Sequence, residues 1–163
     1  MARDTMTGFH SYAQRDAVLV NRLLDFLRPR LVTRRELELR LWSDQAILAG
    51  ETWLEEIERA LEHCDFGLLC LTPNFLASGF IRDVEIPALL KPGRVVIPVA
   101  LEPLDLALSR LHGPEDHQVF RYRPPDSTRK LAFAECGGAN RLRFCDELVT
   151  QVVARLLKVA AAR

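Results

Sequence analysis

At 163 residues the chain suits one domain, residues 1–163, large enough to bury well over half of its unfolded surface. Lys and Arg total 22, as do Asp and Glu, so there is no global basic field of the kind that nucleic-acid binding normally needs, and none is expected. Apolar residues make up 48%, too many for a disordered chain, yet no apolar run approaches the roughly 18–20 residues that span a bilayer.

The start, Met1 to Thr7, is polar and unlike a signal peptide, so the expected compartment is the cytoplasm. Thr7 to Ser11 reads as a weak first strand containing Gly8 and His10. Asp16 then suits a helix N-cap, with Val20, Leu23, Leu24 and Leu27 following at helical spacing. Pro29 is expected to end that helix. Arg28, Arg30, Arg34 and Arg35 read as a solvated helix end and loop. Leu37 to Trp42 alternates like a strand with unlike faces. Trp53, Ile57, Ala60, Leu61 and Cys64 form the apolar stripe of a second helix.

Phe66 to Leu71 is continuously apolar, as a central strand buried on both faces should be. A short helix is expected over Asn74 to Leu76. Another is expected over Val84 to Leu90, starting close to Ile86 because proline is tolerated in a first turn. Arg94 to Leu101 gives a second buried strand, at an edge or irregular where Pro98 lacks a ladder donor. Glu102 to Gly138 is rich in proline and glycine, with a short possible strand at Gln118 to Phe120. Phe144, Leu148, Val152 and Leu156 mark a last helix.

Strands alternating with helices predict an α/β flavodoxin-like three-layer sandwich, with about five parallel strands in the order 2-1-3-4-5 and helices on both faces. Ligands of such sheets bind beyond the carboxyl ends of the strands, here at the loops after Ser11, Trp42 and Leu71. The chain has no GxxxxGK[ST] phosphate loop, no GxGxxG and no GxSxG elbow. A phospho-receiver site is excluded as well, because the first strand runs into Tyr12-Ala13-Gln14-Arg15 and the third into Thr72-Pro73-Asn74, without an acidic pocket. His10, His63, His112 and His117 lack metal-ligand spacing and read as structural or solvated. Cys64, Cys70, Cys136 and Cys145 form no CxxC pair and read as free thiols, so no metal site is expected.

Three segments remain: Phe9-His10-Ser11-Tyr12-Ala13-Gln14-Arg15-Asp16, the run from Leu41 to Trp53, and the run from Leu71 to Pro87. Together they resemble the TIR (Toll/interleukin-1 receptor) family, particularly its bacterial members. The strand-one Ser-Tyr and following charge are matched by Ser11, Tyr12 and Asp16, and the W-x-D that ends strand two by Trp42 and Asp44. The BB loop that follows closes on Gly50 and Trp53. An S-x-x-F-x-x-S-x-[FY]-x-x-x-E-like segment is met loosely by Thr72, Phe75, Ser78, Phe80 and Glu85. Val96-Ile97-Pro98-Val99 and Phe133-Ala134-Glu135-Cys136 also look like this family.

The resemblance implies an NAD+ glycohydrolase with Glu85 as the catalytic residue, and NAD+ as substrate with no cofactor. It implies ligand contacts at Tyr12, Ala13, Gln14, Trp42, Asp44, Ile47, Leu48, Trp53, Ser78 and Ile81. Self-assembly with other TIR domains is implied through the loop Gln45 to Gly50, and a sensor domain or partner protein beside them. The chemistry is coherent by itself. Nicotinamide leaves from a cationic precursor and needs no general acid, so one carboxylate suffices where ordinary glycosidases use two. A glutamate in a first helical turn can also be merely solvated and favoured by the helix dipole. A non-catalytic adaptor that uses the apolar run Ala46-Ile47-Leu48-Ala49 as a contact surface is the competing function.

Overall fold

Four strands form one parallel sheet: β1 Thr5–Ser11, β2 Glu38–Trp42, β3 Phe66–Leu71 and β4 Val95–Ala100, in the order β2-β1-β3-β4. The computed structural model describes residues 4–162, so Met1 to Arg3 of the polar start, and Arg163, lie outside the described residues. Helices α1 Ala17–Val32 and α5 Gly138–Ala161 cover one face. The other is covered by α2 Trp53–His63 with the short α3 Pro73–Ala77 and α4 Ile86–Leu89. This is the flavodoxin-like arrangement expected.

β3 explains why both layers hold. All six of its residues are buried. Leu68 and Cys70 join the core under α1 and α5, while Leu69 and Leu71 join the core under α2 and α4, because successive side chains point to opposite faces. Gly8, which weakens the first strand's signal, is required there. A Cβ at Gly8 would lie 2.3 Å from Cζ of Phe66, whose ring fills that space from the neighbouring strand.

A fifth strand is not formed among the described residues. Phe120 makes one parallel bridge to Val99, its N–H donating to the Pro98 carbonyl at 2.7 Å and its carbonyl accepting from the Ala100 N–H at 3.0 Å. The ladder stops on both sides for chemical reasons. Pro98 turns its nitrogen to the same edge as its carbonyl but has no N–H to offer Gln118. Two residues on, the Tyr122 N–H is already given to the Leu131 carbonyl at 2.9 Å. β4 is therefore the edge of the ladder, as Pro98 requires.

The first helix also departs from expectation, running through Pro29 to Val32. Pro29 and Asp25, whose carbonyl loses its helical partner, are both exposed, so the lost bond is not a buried one. Ending the helix there would give up Leu31, 1% exposed, whose burial is worth about 1.5–3 kcal/mol. Near the site, the helical path before α4 starts earlier than the sequence suggests. It opens at Gly79 with the Arg82 N–H on the Ser78 carbonyl at 3.1 Å, passes into a π-helical turn over Ile81–Glu85 closed by the Ile86 N–H on the Ile81 carbonyl, and places Pro87 in the first turn of α4.

Candidate functional site

β1, β2 and β3 run parallel and end on one side of the sheet. The chain leaving them surrounds a cavity of about 180 Å³. Its lining comes from β1 and the turn after it (Phe9, His10, Tyr12, Ala13, Gln14), from β2 and its exit (Trp42, Asp44), from α2 (Trp53, Ile57), and from the segment Ser78 to Glu85. This is the crevice that a parallel sheet opens where its loops diverge.

Glu85, the last residue of the π-helical turn, is 7% exposed. Ser11, fully buried at the end of β1, donates from Oγ to Glu85 Oε2 at 2.6 Å. Burial raises the Glu85 carboxyl from 4.5 to about 7, with the Ser11 hydrogen bond pulling the other way. The carboxyl thus holds or releases a proton near neutrality, as groups that work in acid–base or electrostatic chemistry often do.

Aromatic rings make the walls. Trp42 stacks on Phe9 with centroids 5.6 Å apart and planes at 11°, and Trp53 tilts against Phe80 at 5.4 Å. Trp53 lines the cavity and is 47% exposed. Tyr12 lies parallel to His10 at 5.4 Å. Burial raises the Tyr12 phenol above its ordinary pKa, and the charge of Asp44 adds to the shift.

Positive charge is missing from the lining. Among the described residues that form it, none is Lys or Arg. His10 is held neutral, its pKa lowered to about 4 by burial and then by the Arg28 charge. Its buried Nδ1 has no hydrogen-bond partner.

A second polar network stands behind the pocket. Asp16 occupies the N-cap position of α1 but makes no capping bond with its side chain. Instead its buried carboxylate accepts from Thr72 Oγ1 and, at 2.9 Å, from Asn74 Nδ2. Thr72 Oγ1 in turn accepts the Phe75 N–H at 3.0 Å and so caps α3. The turn that carries Tyr12 to Gln14 is thereby tied to the segment that leads to Ser78 and Glu85.

Nine of the residues singled out in the sequence meet at this cavity: Tyr12, Ala13, Gln14, Trp42, Asp44, Trp53, Ser78, Ile81 and Glu85. Ile47 and Leu48 lie outside its lining. A 3-10 turn at Asp44–Ala46, capped by Ser43, leads the loop outward. Leu48 is 70% exposed, with its N–H held by Glu51 Oε1 at 2.7 Å. Gly50, at φ 90°, turns the chain back in the left-handed region that glycine enters freely. Sequence reasoning does not single out Phe9, His10 or Ile57 as lining residues, and Phe80 enters there only as a position of the family-like segment. Phe9 and Ile57 carry the apolar pattern of core positions, and only the strand's end next to Ser11 hints at Phe9 and His10.

Among the described residues no group of three or more His, Cys, Asp or Glu is placed to hold a metal ion. No helix there is long and apolar enough to cross a membrane. The family model described as TIR domain matches residues 9–132, which include every lining residue of the cavity. No curated protein matches the chain.

Proposed function

The chain belongs to the TIR domain family, and from that premise we propose that it cleaves NAD+ at the nicotinamide N-glycosidic bond, with Glu85 as the catalytic carboxylate. The observation that supports this most directly is the Glu85 carboxyl itself, buried in an aromatic-walled pocket and titrating near neutrality.

In this reading the pyridinium ring packs among Trp42, Trp53 and Phe80, whose faces favour a cation. As the C–N bond breaks, its electron pair leaves with nicotinamide, which becomes neutral without a proton donor. Positive charge then builds on the ribose, and ionised Glu85 stabilises it. Ser11 favours that ionised form through its hydrogen bond. Water, or a nitrogen of the substrate's own adenine, adds to the ribose carbon, giving linear or cyclic ADP-ribose. Mass spectrometry of the products after incubation with NAD+ tests the reading. Nicotinamide together with either form of ADP-ribose supports it, and intact NAD+ from concentrated, folded protein counts against it.

Self-association through the loop Gln45 to Gly50 accompanies this function in our proposal, supported by the exposure of Leu48. A TIR domain that associates this way without cleaving NAD+ is an adaptor, and that outcome of the same assay would assign the chain to that class.

A further inference from the structure

Resting on the hydrolase reading above, we propose that His10 is a specificity residue of the site: its Nε2–H donates a hydrogen bond to an oxygen of bound NAD+.

Its place in the strand is the first argument. His10 pairs with Leu68 of β3. By the alternation that sends Phe9 to the α2 side, it points to the side covered by α1 and α5. Leu41, Phe66 and Leu68 pack that side of the sheet with apolar groups, and a leucine at position 10 would be at home among them. The chain keeps an imidazole instead, 9% exposed, with its Nδ1 buried and unpartnered. Native structures leave few such atoms, and each calls for a reason beyond packing.

The tautomer is the second argument. A neutral imidazole carries its proton on one nitrogen and a lone pair on the other. A buried N–H without an acceptor is rarer than a buried acceptor without a donor, so the lone pair falls on Nδ1 and the proton on Nε2. Nε2 is the nitrogen left to face the cavity that the ring lines. Tyr12 covers one face of the ring, with planes at 2°, and so holds the direction of that donor.

The charge state suits the chemistry. Burial, and then the Arg28 charge, keep the ring neutral at physiological pH. A charged imidazole would oppose both the pyridinium and the positive charge that builds on the ribose. The neutral ring supplies a donor without that repulsion.

Nitrogen-15 spectra of histidine-labelled protein separate the two tautomers, and the signal lost in His10→Leu identifies His10 among the four histidines. We expect the Nε2–H form in the free protein, with its signal moved by saturating NAD+ in Glu85→Gln, where cleavage is not expected. In kinetics, His10→Leu should raise KM for NAD+ by about tenfold, the scale of one hydrogen bond, and leave kcat within about twofold. His10→Gln, whose amide nitrogen takes the place of Nε2, should recover most of that loss while being less stable than His10→Leu in urea. A histidine that only fills space gives the opposite order, with leucine matching the wild type and glutamine worse. That order, an Nδ1–H tautomer, or a His10 signal unmoved by NAD+ would overturn the proposal and leave the hydrolase reading standing. Absence of cleavage by the wild type would overturn the hydrolase reading, and the His10 signal with NAD+ would still decide whether the donor meets the ligand.

Discussion

The Ser11 hydroxyl donates a 2.6 Å hydrogen bond to Oε2 of Glu85, joining the end of β1 to a π-helical turn 74 residues later. Burial lifts the Glu85 carboxyl to about 7 and this bond opposes the rise. Hydrogen bonds to charged groups contribute about 1.5–3 kcal/mol, so removing this one favours the protonated, catalytically silent form. Ser11→Ala is predicted to move the acidic limb of the pH–rate profile to higher pH. It should lower turnover near pH 7 by about tenfold and leave the plateau at high pH largely intact. Initial rates measured across the pH range check this.

Glu85 also links pH to stability. Its folded pKa, about 7, lies above the ordinary value of 4.5, so the folded state holds a proton that the unfolded chain has released. The contribution is present below 4.5 and is lost as pH rises through about 7, a swing of roughly 3 kcal/mol. His10 acts with the opposite sign. Its pKa falls from 6.5 to about 4, so stability is lost as pH drops below 6.5. Glu85→Gln should therefore be more stable than the wild type at pH 8 and close to it at pH 4.5, measured by urea unfolding.

Asp16 has a structural role that its helix-start position conceals. Its carboxylate holds the Thr72 hydroxyl and the Asn74 amide, both in the chain that leaves the end of β3. Asp16→Ala leaves those groups without their acceptor and is predicted to cost about 2–4 kcal/mol in urea unfolding. Asp16→Asn keeps the shape and one acceptor oxygen, and should cost about half as much. Equal losses in both variants would show that charge, not hydrogen bonding, is what the network needs.

How much of this is legible in the sequence depends on whether the cause is local. β3 was readable residue for residue, because Phe66 to Leu71 carries five apolar side chains around Gly67 in a run too short for an ordinary helix. The α2 stripe was readable for the same reason. The end of α1 was not, since the burial of Leu31 outweighs a proline whose local effect is clear. The fifth strand was not, because its failure depends on Pro98 and Leu131 together. At the site, nine residues fall into one cavity, but the setting of Glu85 depends on Ser11, 74 residues earlier in the chain, which no local pattern reveals. Ile57 shows the converse limit, since lining a pocket and filling a core leave the same apolar pattern.

The outward loop offers a test of assembly. Leu48 is 70% exposed and outside the cavity lining, so Leu48→Asp should change stability by no more than about 0.5 kcal/mol. It should shift sedimentation of concentrated protein toward the monomer. Sedimentation identical to the wild type would remove the loop from the association surface.

The central claim is that Glu85 performs the cleavage, and nicotinamide release from NAD+ by wild type and Glu85→Gln, side by side at high protein concentration, tests it most directly. Glutamine keeps the size of the side chain and an oxygen for the Ser11 hydroxyl, so the fold is retained, as thermal unfolding of both proteins verifies. We predict release by the wild type and a loss of at least about a hundredfold in the variant, the scale on which removing one group that stabilises transition-state charge is felt. Release at the wild-type rate by a folded Glu85→Gln protein would contradict the account.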